Sequence, residues 1–129
     1  MPPPRAYNPC IYFRNAAGQD LLDSSTDKHY NLDSIYTYVQ GTNYRAKGEI
    51  VTITPVYSMP VGHALSIVSY VRNETWIIQL SKSDLDTMTL VYSKSNLDKI
   101  YYNNKIVTPA LGSSFPEGTY FPITITKSP

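Results

Sequence analysis

Two histidines, one cysteine and ten carboxylates are the side chains that could attack a substrate, move protons or grip a metal. A nucleophile–histidine–acid relay must draw on His29 or His63, and no Gly-x-Ser-x-Gly elbow is present to offer it a serine. His29 lies among Asp27, Lys28 and Tyr30 in a polar stretch, and His63 opens an apolar run beside Gly62. Both are expected to be solvated or structural, and neither has the i,i+4 partner of a helical metal site. Cys10 could act as a thiolate only with a histidine close enough to lower its pKa. As the single cysteine it excludes an intrachain disulfide and a cysteine-rich zinc site, so it is expected as a small buried hydrophobe near the first strand. Five of the ten carboxylates form two groups, Asp84 with Asp86, and Asp20 with Asp23 and Asp27. Calcium takes about six to eight oxygens on a glycine-pivoted loop, and neither group has that spacing. Both are expected as solvated turn residues, and nothing singles out a glycosidase pair among them. The expectation is a protein that is not an enzyme, with no catalytic residues, metal or cofactor.

Tyrosine is the residue type that points to a function. There are twelve, each with an apolar ring and a polar tip. Core packing and cross-strand pairing account for most of them. Tyr36 and Tyr38 share one face of a strand, and they are the candidate ligand-binding residues, a platform for a glycan or a protein surface. Tyr101 and Tyr102 are consecutive and point opposite ways. Trp76 alternates with Ile78 and Leu80 and is expected in the core. Asn73-Glu74-Thr75 matches the N-glycosylation sequon but also suits a plain hairpin turn.

The elements that must position these residues are strands. In the stretch 74–107, apolar runs at 75–80, 87–92 and 99–102 alternate with short polar breaks, and a fourth run starts at Lys105. Period-two alternation puts Trp76, Ile78 and Leu80 on one face, then Met88, Leu90 and Tyr92. Tyr102-Asn103-Asn104-Lys105 suits a two-residue hairpin, because asparagine accepts positive φ. This is an antiparallel meander. Further strands are expected at 10–14, 35–39, 49–56, 63–71 and 119–126, with Gly18 turning the first loop and Leu21-Leu22 returning to the core. The run 63–71 reads as covered on both faces, and Arg72-Asn73-Glu74 as a tight hairpin joining it to the meander. Ile35, Thr37 and Val39 should oppose Tyr36 and Tyr38. Pro55 should mark an edge or a strand end. Segment 23–33 reads as a surface loop with one helical turn, and 108–118 as a Pro/Gly/Ser loop. About eight or nine short strands without a domain-length helix predict an all-β, antiparallel β-sandwich, immunoglobulin-like or similar, with a barrel as second choice.

At 129 residues the chain suits one domain. Residues 1–8, with three prolines, are expected as an extended arm, and 9–129 as the sandwich. Trp76, Ile78, Leu80, Leu90, Ile100, Ile123 and Ile125 should line one core. A net charge of +1, without blocks of like sign, implies neither nucleic acid nor an anionic membrane. No run approaches the roughly 20 apolar residues of a membrane helix, and residues 1–5 contain no apolar signal core.

Two segments resemble small Bacteroidetes cell-envelope lipoproteins of unassigned function. CIYFRNAAGQDLLD, residues 10–23, is similar to their opening strand and Gly-x-Asp-Leu-Leu turn, here Gly18-Gln19-Asp20-Leu21-Leu22. WIIQLSKSDLDTMTLVY with IYYNNK resembles their strand, Asp-Thr turn, strand and Tyr-Asn hairpin, here Asp86-Thr87 and Tyr102-Asn103. The resemblance implies an exported domain, in the periplasm, on the outer membrane or secreted, tethered by a lipidated cysteine. Cys10 follows Tyr7-Asn8-Pro9, which lacks the apolar and small residues of a lipidation box, so membrane attachment would need an anchor outside this chain. The functional expectation is a non-catalytic envelope domain that binds a glycan or a protein partner. The alternative is a structural subunit that assembles through an open sheet edge and its N-terminal arm.

Overall fold

The computed structural model describes residues 6–42, 45–53, 61–70, 73–94, 96–107 and 120–127. The described residues form strands β1 (Ala6–Arg14), β2 (Tyr36–Val39), β3 (Ala46–Lys47), β4 (Glu49–Ile53), β5 (Gly62–Ser66), β6 (Ser69–Tyr70), β7 (Glu74–Ser81), β8 (Asp84–Ser93), β9 (Asn96–Tyr102), β10 (Lys105–Val107) and β11 (Tyr120–Thr126). They make two sheets packed face to face as a β-sandwich. The larger runs β10-β9-β8-β7-β2-β3; the smaller runs β11-β1-β5-β4, with β6 also paired to β1. Among the described residues one 3-10 turn, Leu32–Ser34, lies at the end of the 23–33 loop that was expected to hold a helical turn.

The meander is as the alternation predicts. β7, β8, β9 and β10 pair antiparallel in sequence order, and Asn103 and Asn104 both take positive φ, 49° and 66°. A bulge opposite Val91 and Tyr92 lets Leu97 and Ile100, three residues apart, both reach the core. Ile78, Leu80, Leu90, Ile100 and Ile123 are buried in one cluster, with Trp76 and Ile125 packed half-buried against it. Gly18 has φ of 80°, and Leu21 and Leu22 return to the core behind it.

β1 is buried on both faces. Tyr7, Ile11 and Phe13 point between the sheets, while Cys10 and Tyr12 join Ile53 and Ala64 in a second cluster on the outer side. That double burial explains an apolar run without alternation in Cys-Ile-Tyr-Phe.

Four features differ from the sequence expectation. First, β1 and β11 pair in parallel, Ile11 opposite Ile123, whereas the alternation within each strand says nothing of direction. Pro122 in β11 fits this position, because β11 has a neighbour on one side only among the described residues. Second, the run 63–71 breaks into β5 and β6 around Ile67 and Val68. Opposite the break is Pro9, which has no N–H to donate, though its carbonyl accepts from the Ile67 N–H at 3.1 Å. Val68 and Tyr70 are exposed, so double coverage ends with β5. Third, β6 pairs with β1 in the smaller sheet and β7 lies in the larger, so no hairpin joins them; residues 71–72 lie outside the described residues. Fourth, residues 6–8 of the expected arm belong to β1, and Tyr7 is buried edge-to-face against Tyr92, centroids 5.7 Å apart. Among the described residues the strands number eleven, not eight or nine, because the 63–71 run splits into β5 and β6 and the two-residue β3 is too short to show a period. Residues 1–5, Pro55 and the 108–118 loop lie outside the described residues.

Candidate functional site

Charged residues gather at the pole of the sandwich where β1, β7, β9 and β11 end and β8 begins. Strand parity puts them there. The inward positions of β8 run Asp84, Asp86, Met88, Leu90, and those of β11 run Phe121, Ile123, Ile125 and then Lys127 just past its end. The Lys127 ammonium donates to both Asp86 oxygens at 2.9 Å and to Asp84 Oδ1 at 3.1 Å. Asp86, 3% exposed, also accepts from the Tyr102 hydroxyl at 2.7 Å and from Asn103 Nδ2 at 3.1 Å. The Tyr30 hydroxyl donates to Asp84 Oδ2 at 2.9 Å.

Burial alone would push the Asp86 carboxyl up, but the bonds from Lys127, Tyr102 and Asn103 outweigh it and hold its pKa below the ordinary value. Burial would likewise lower Lys127, and its two carboxylate partners raise it. Burial and the Asp86 charge raise the Tyr102 phenol, and burial with the bond to Asp84 raises Tyr30. Lys127 is therefore held as ammonium and both phenols as neutral donors. This corrects the expectation of solvated turn residues: Asp84 and Asp86 are inward strand residues tied across the two sheets. The signal was in the sequence, since the parity that makes Met88 and Leu90 core also turns Asp86 inward.

Beside the network a cleft of about 390 Å³ opens between the 15–19 and 27–30 loops and the β7–β8 turn. Leu21 and the Tyr30 ring give it an apolar part, while Gln19, Ser81, Ser83, Asp84 and Lys127 give it polar walls. Tyr30 is fixed edge-to-face on Phe13, centroids 6.1 Å apart. Nothing in the sequence pattern marked this cleft, because its lining comes from three loops and a strand end that only folding brings together.

The other candidates are dispersed. Asp20 Oδ2 accepts from the His63 backbone N–H at 2.9 Å and lies 3.2 Å from His63 Nδ1, while Asp20 Oδ1 accepts from the Leu22 N–H. The pair thus anchors the start of β5 to the first loop. His29 Nδ1 lies 2.9 Å from the Thr26 carbonyl, and Asp23 caps Ser25. Cys10 is fully buried in mid-strand, and burial, reinforced by Glu49, pushes its thiol up to about 11. A thiol so placed is a packing residue. Asn73 is committed to the fold, its Oδ1 accepting from the Tyr92 N–H at 2.6 Å.

No family model, curated protein or solved structure matches this chain.

Tyr36 and Tyr38 lie on the outer face of the larger sheet, opposite the buried Ile35 and Thr37, and both are half-buried. Their cross-strand partners are Gln79 and Ile77. The Arg45 guanidinium sits 4.6 Å from the Tyr36 ring centroid and donates to Gln79 Oε1 at 2.6 Å. One face of Tyr36 is therefore covered by a cation, and Tyr38 keeps the apolar neighbour. Thr75, Thr89 and Val91 on the same outer face, with Val39 and Gln40, line a shallow groove of about 420 Å³.

Proposed function

We propose that the protein is a non-catalytic binding domain, exported to the cell envelope, that takes a glycan or an envelope protein on the outer face of its larger sheet. One observation carries this reading. Among the described residues the smaller sheet buries apolar side chains on both faces, and the larger sheet has its buried clusters on the inner face only. Its outer face bears Tyr36, Tyr38, Ile77 and Tyr101, with Leu85 at 56% and Ile106 at 60% exposure. Aromatic and aliphatic groups on a rigid sheet lose little rotamer entropy on contact, which suits recognition. Export rests on the resemblance in residues 10–23, 76–92 and 100–105. Assembly through open edges has less support: of the four edge strands among the described residues, β3 is two residues long, β10 begins with Lys105, and β11 contains Pro122, features that discourage edge pairing, which leaves the five-residue β4 as the edge open to it.

The test is a glycan array and an envelope-extract pull-down with wild type and with Tyr36→Ala/Tyr38→Ala, circular dichroism confirming the fold. Loss of a wild-type ligand from a folded double variant supports the reading. Unchanged binding moves the site elsewhere, and an unfolded variant makes both rings packing residues.

A further inference from the structure

We infer that the cleft at the Lys127 pole is a second binding site, separate from the sheet face, and that it takes a neutral saccharide unit. Its size falls within the range of small-molecule pockets, which combine an apolar floor with a few placed polar groups. The floor is Leu21 and the Tyr30 ring. That ring is restrained at both ends, packed at a steep angle against Phe13 and bonded through its hydroxyl to Asp84. A fixed ring is what the C–H face of a sugar packs against.

The polar groups choose the ligand's charge. Asp27, Asp84, Lys28 and Lys127 all line the cleft, so an anion meets two carboxylates and a cation meets two ammonium groups. Lys127 and Asp84 are already bonded to each other. A neutral ligand that both donates and accepts suits such a rim, and hydroxyl groups do both. Besides the charged Asp27 and Lys28, three uncharged side chains of the lining have capacity left. The Gln19 oxygen accepts from Asn15 Nδ2 at 2.9 Å, which turns the Gln19 amide nitrogen away as a donor with no partner among the described residues. The hydroxyls of Ser81 and Ser83 likewise have no partner among the described residues. At the rim, Lys28 is held at φ of 58°, a left-handed backbone that a non-glycine residue adopts at a cost.

The experiment is saturation-transfer-difference NMR of the whole chain with glucose, galactose, mannose, xylose, N-acetylglucosamine, cellobiose and maltose at millimolar concentration, glucuronate and glucosamine serving as charged controls. The variants are Gln19→Ala, Ser83→Trp, which fills the cleft from an exposed turn, and Tyr36→Ala/Tyr38→Ala. At least one neutral sugar should give a transfer signal, weakened about tenfold or more by Gln19→Ala or Ser83→Trp, as loss of a hydrogen bond or of space demands. The tyrosine double variant should bind as wild type does. Absence of signal from every neutral sugar overturns the proposal, as does a signal from the charged controls alone. A signal lost in the tyrosine variant but kept in Gln19→Ala and Ser83→Trp places the sugar on the sheet face. That result rejects the cleft and leaves the proposed function standing.

Discussion

Asp86 and Lys127 show how single side chains answer to strand parity more than to their own polarity. A carboxylate removed from water is costly unless paired and bonded, and Asp86 has Lys127, Tyr102 and Asn103 to repay that cost. Asp86→Asn should cost roughly 2–3 kcal/mol at neutral pH, below the roughly 3–5 kcal/mol for orphaning a buried charge, since Asp84 still neutralises the ammonium. The sign of the pH dependence follows from the directions of shift. The lowered Asp86 pKa contributes stability above the unfolded value of about 4, and loses it as pH falls through the folded value. The raised Lys127 and Tyr102 values contribute below about pH 10, and that part is lost as pH rises through their folded values. Stability should thus form a plateau between the two limits. Urea titrations across pH should show Asp86→Asn converging on wild type in acid. If the two curves stay parallel through the acid range, Asp86 is not the titrating tie.

At the scale of elements, what was legible was local. The meander could be read because its strands pair with sequence neighbours and its turns carry Asn-Asn or Lys-Ser dipeptides. The split of β5 from β6 was not, because its cause, Pro9, is distant in sequence. Gly48 is a case of close approach. Its N–H donates to the Ile35 carbonyl at 2.8 Å, and a Cβ there would stand 2.7 Å from Ile35 Cγ2 and 2.9 Å from Leu65 Cδ1. Gly48→Ala should therefore lose roughly 1–3 kcal/mol by overpacking. Leu90→Ala, which opens space in the same core, should lose roughly 2–5 kcal/mol. Denaturant titrations check both. A neutral Gly48→Ala would mean the two core side chains shift freely, and a loss under about 0.5 kcal/mol for Leu90→Ala would remove Leu90 from the core.

For the whole molecule, the first and last of the described strands are joined. β1 lies between β11 and β5, so residues 6–8 are part of the central strand of the smaller sheet. Removing residues 1–8 should lower the melting temperature by several degrees, because Tyr7 leaves the core with its contact to Tyr92. Tyr7→Ala alone should cost roughly 3–5 kcal/mol, as deletion of a buried aromatic ring does. An unchanged melting temperature in the truncated chain would show that Tyr7 carries no packing energy. By itself the sequence determined the all-β class, the longer strands and the core faces of β7, β8 and β11, since period-two burial is written residue by residue; in β9 the bulge breaks that period. Tertiary structure decided the rest: the parallel union of β1 with β11, the pairing of Asp86 with Lys127 forty-one residues away, and the cleft. Those depend on which strands become neighbours and which loops share a pole, and alternation along one strand holds no information about its partner.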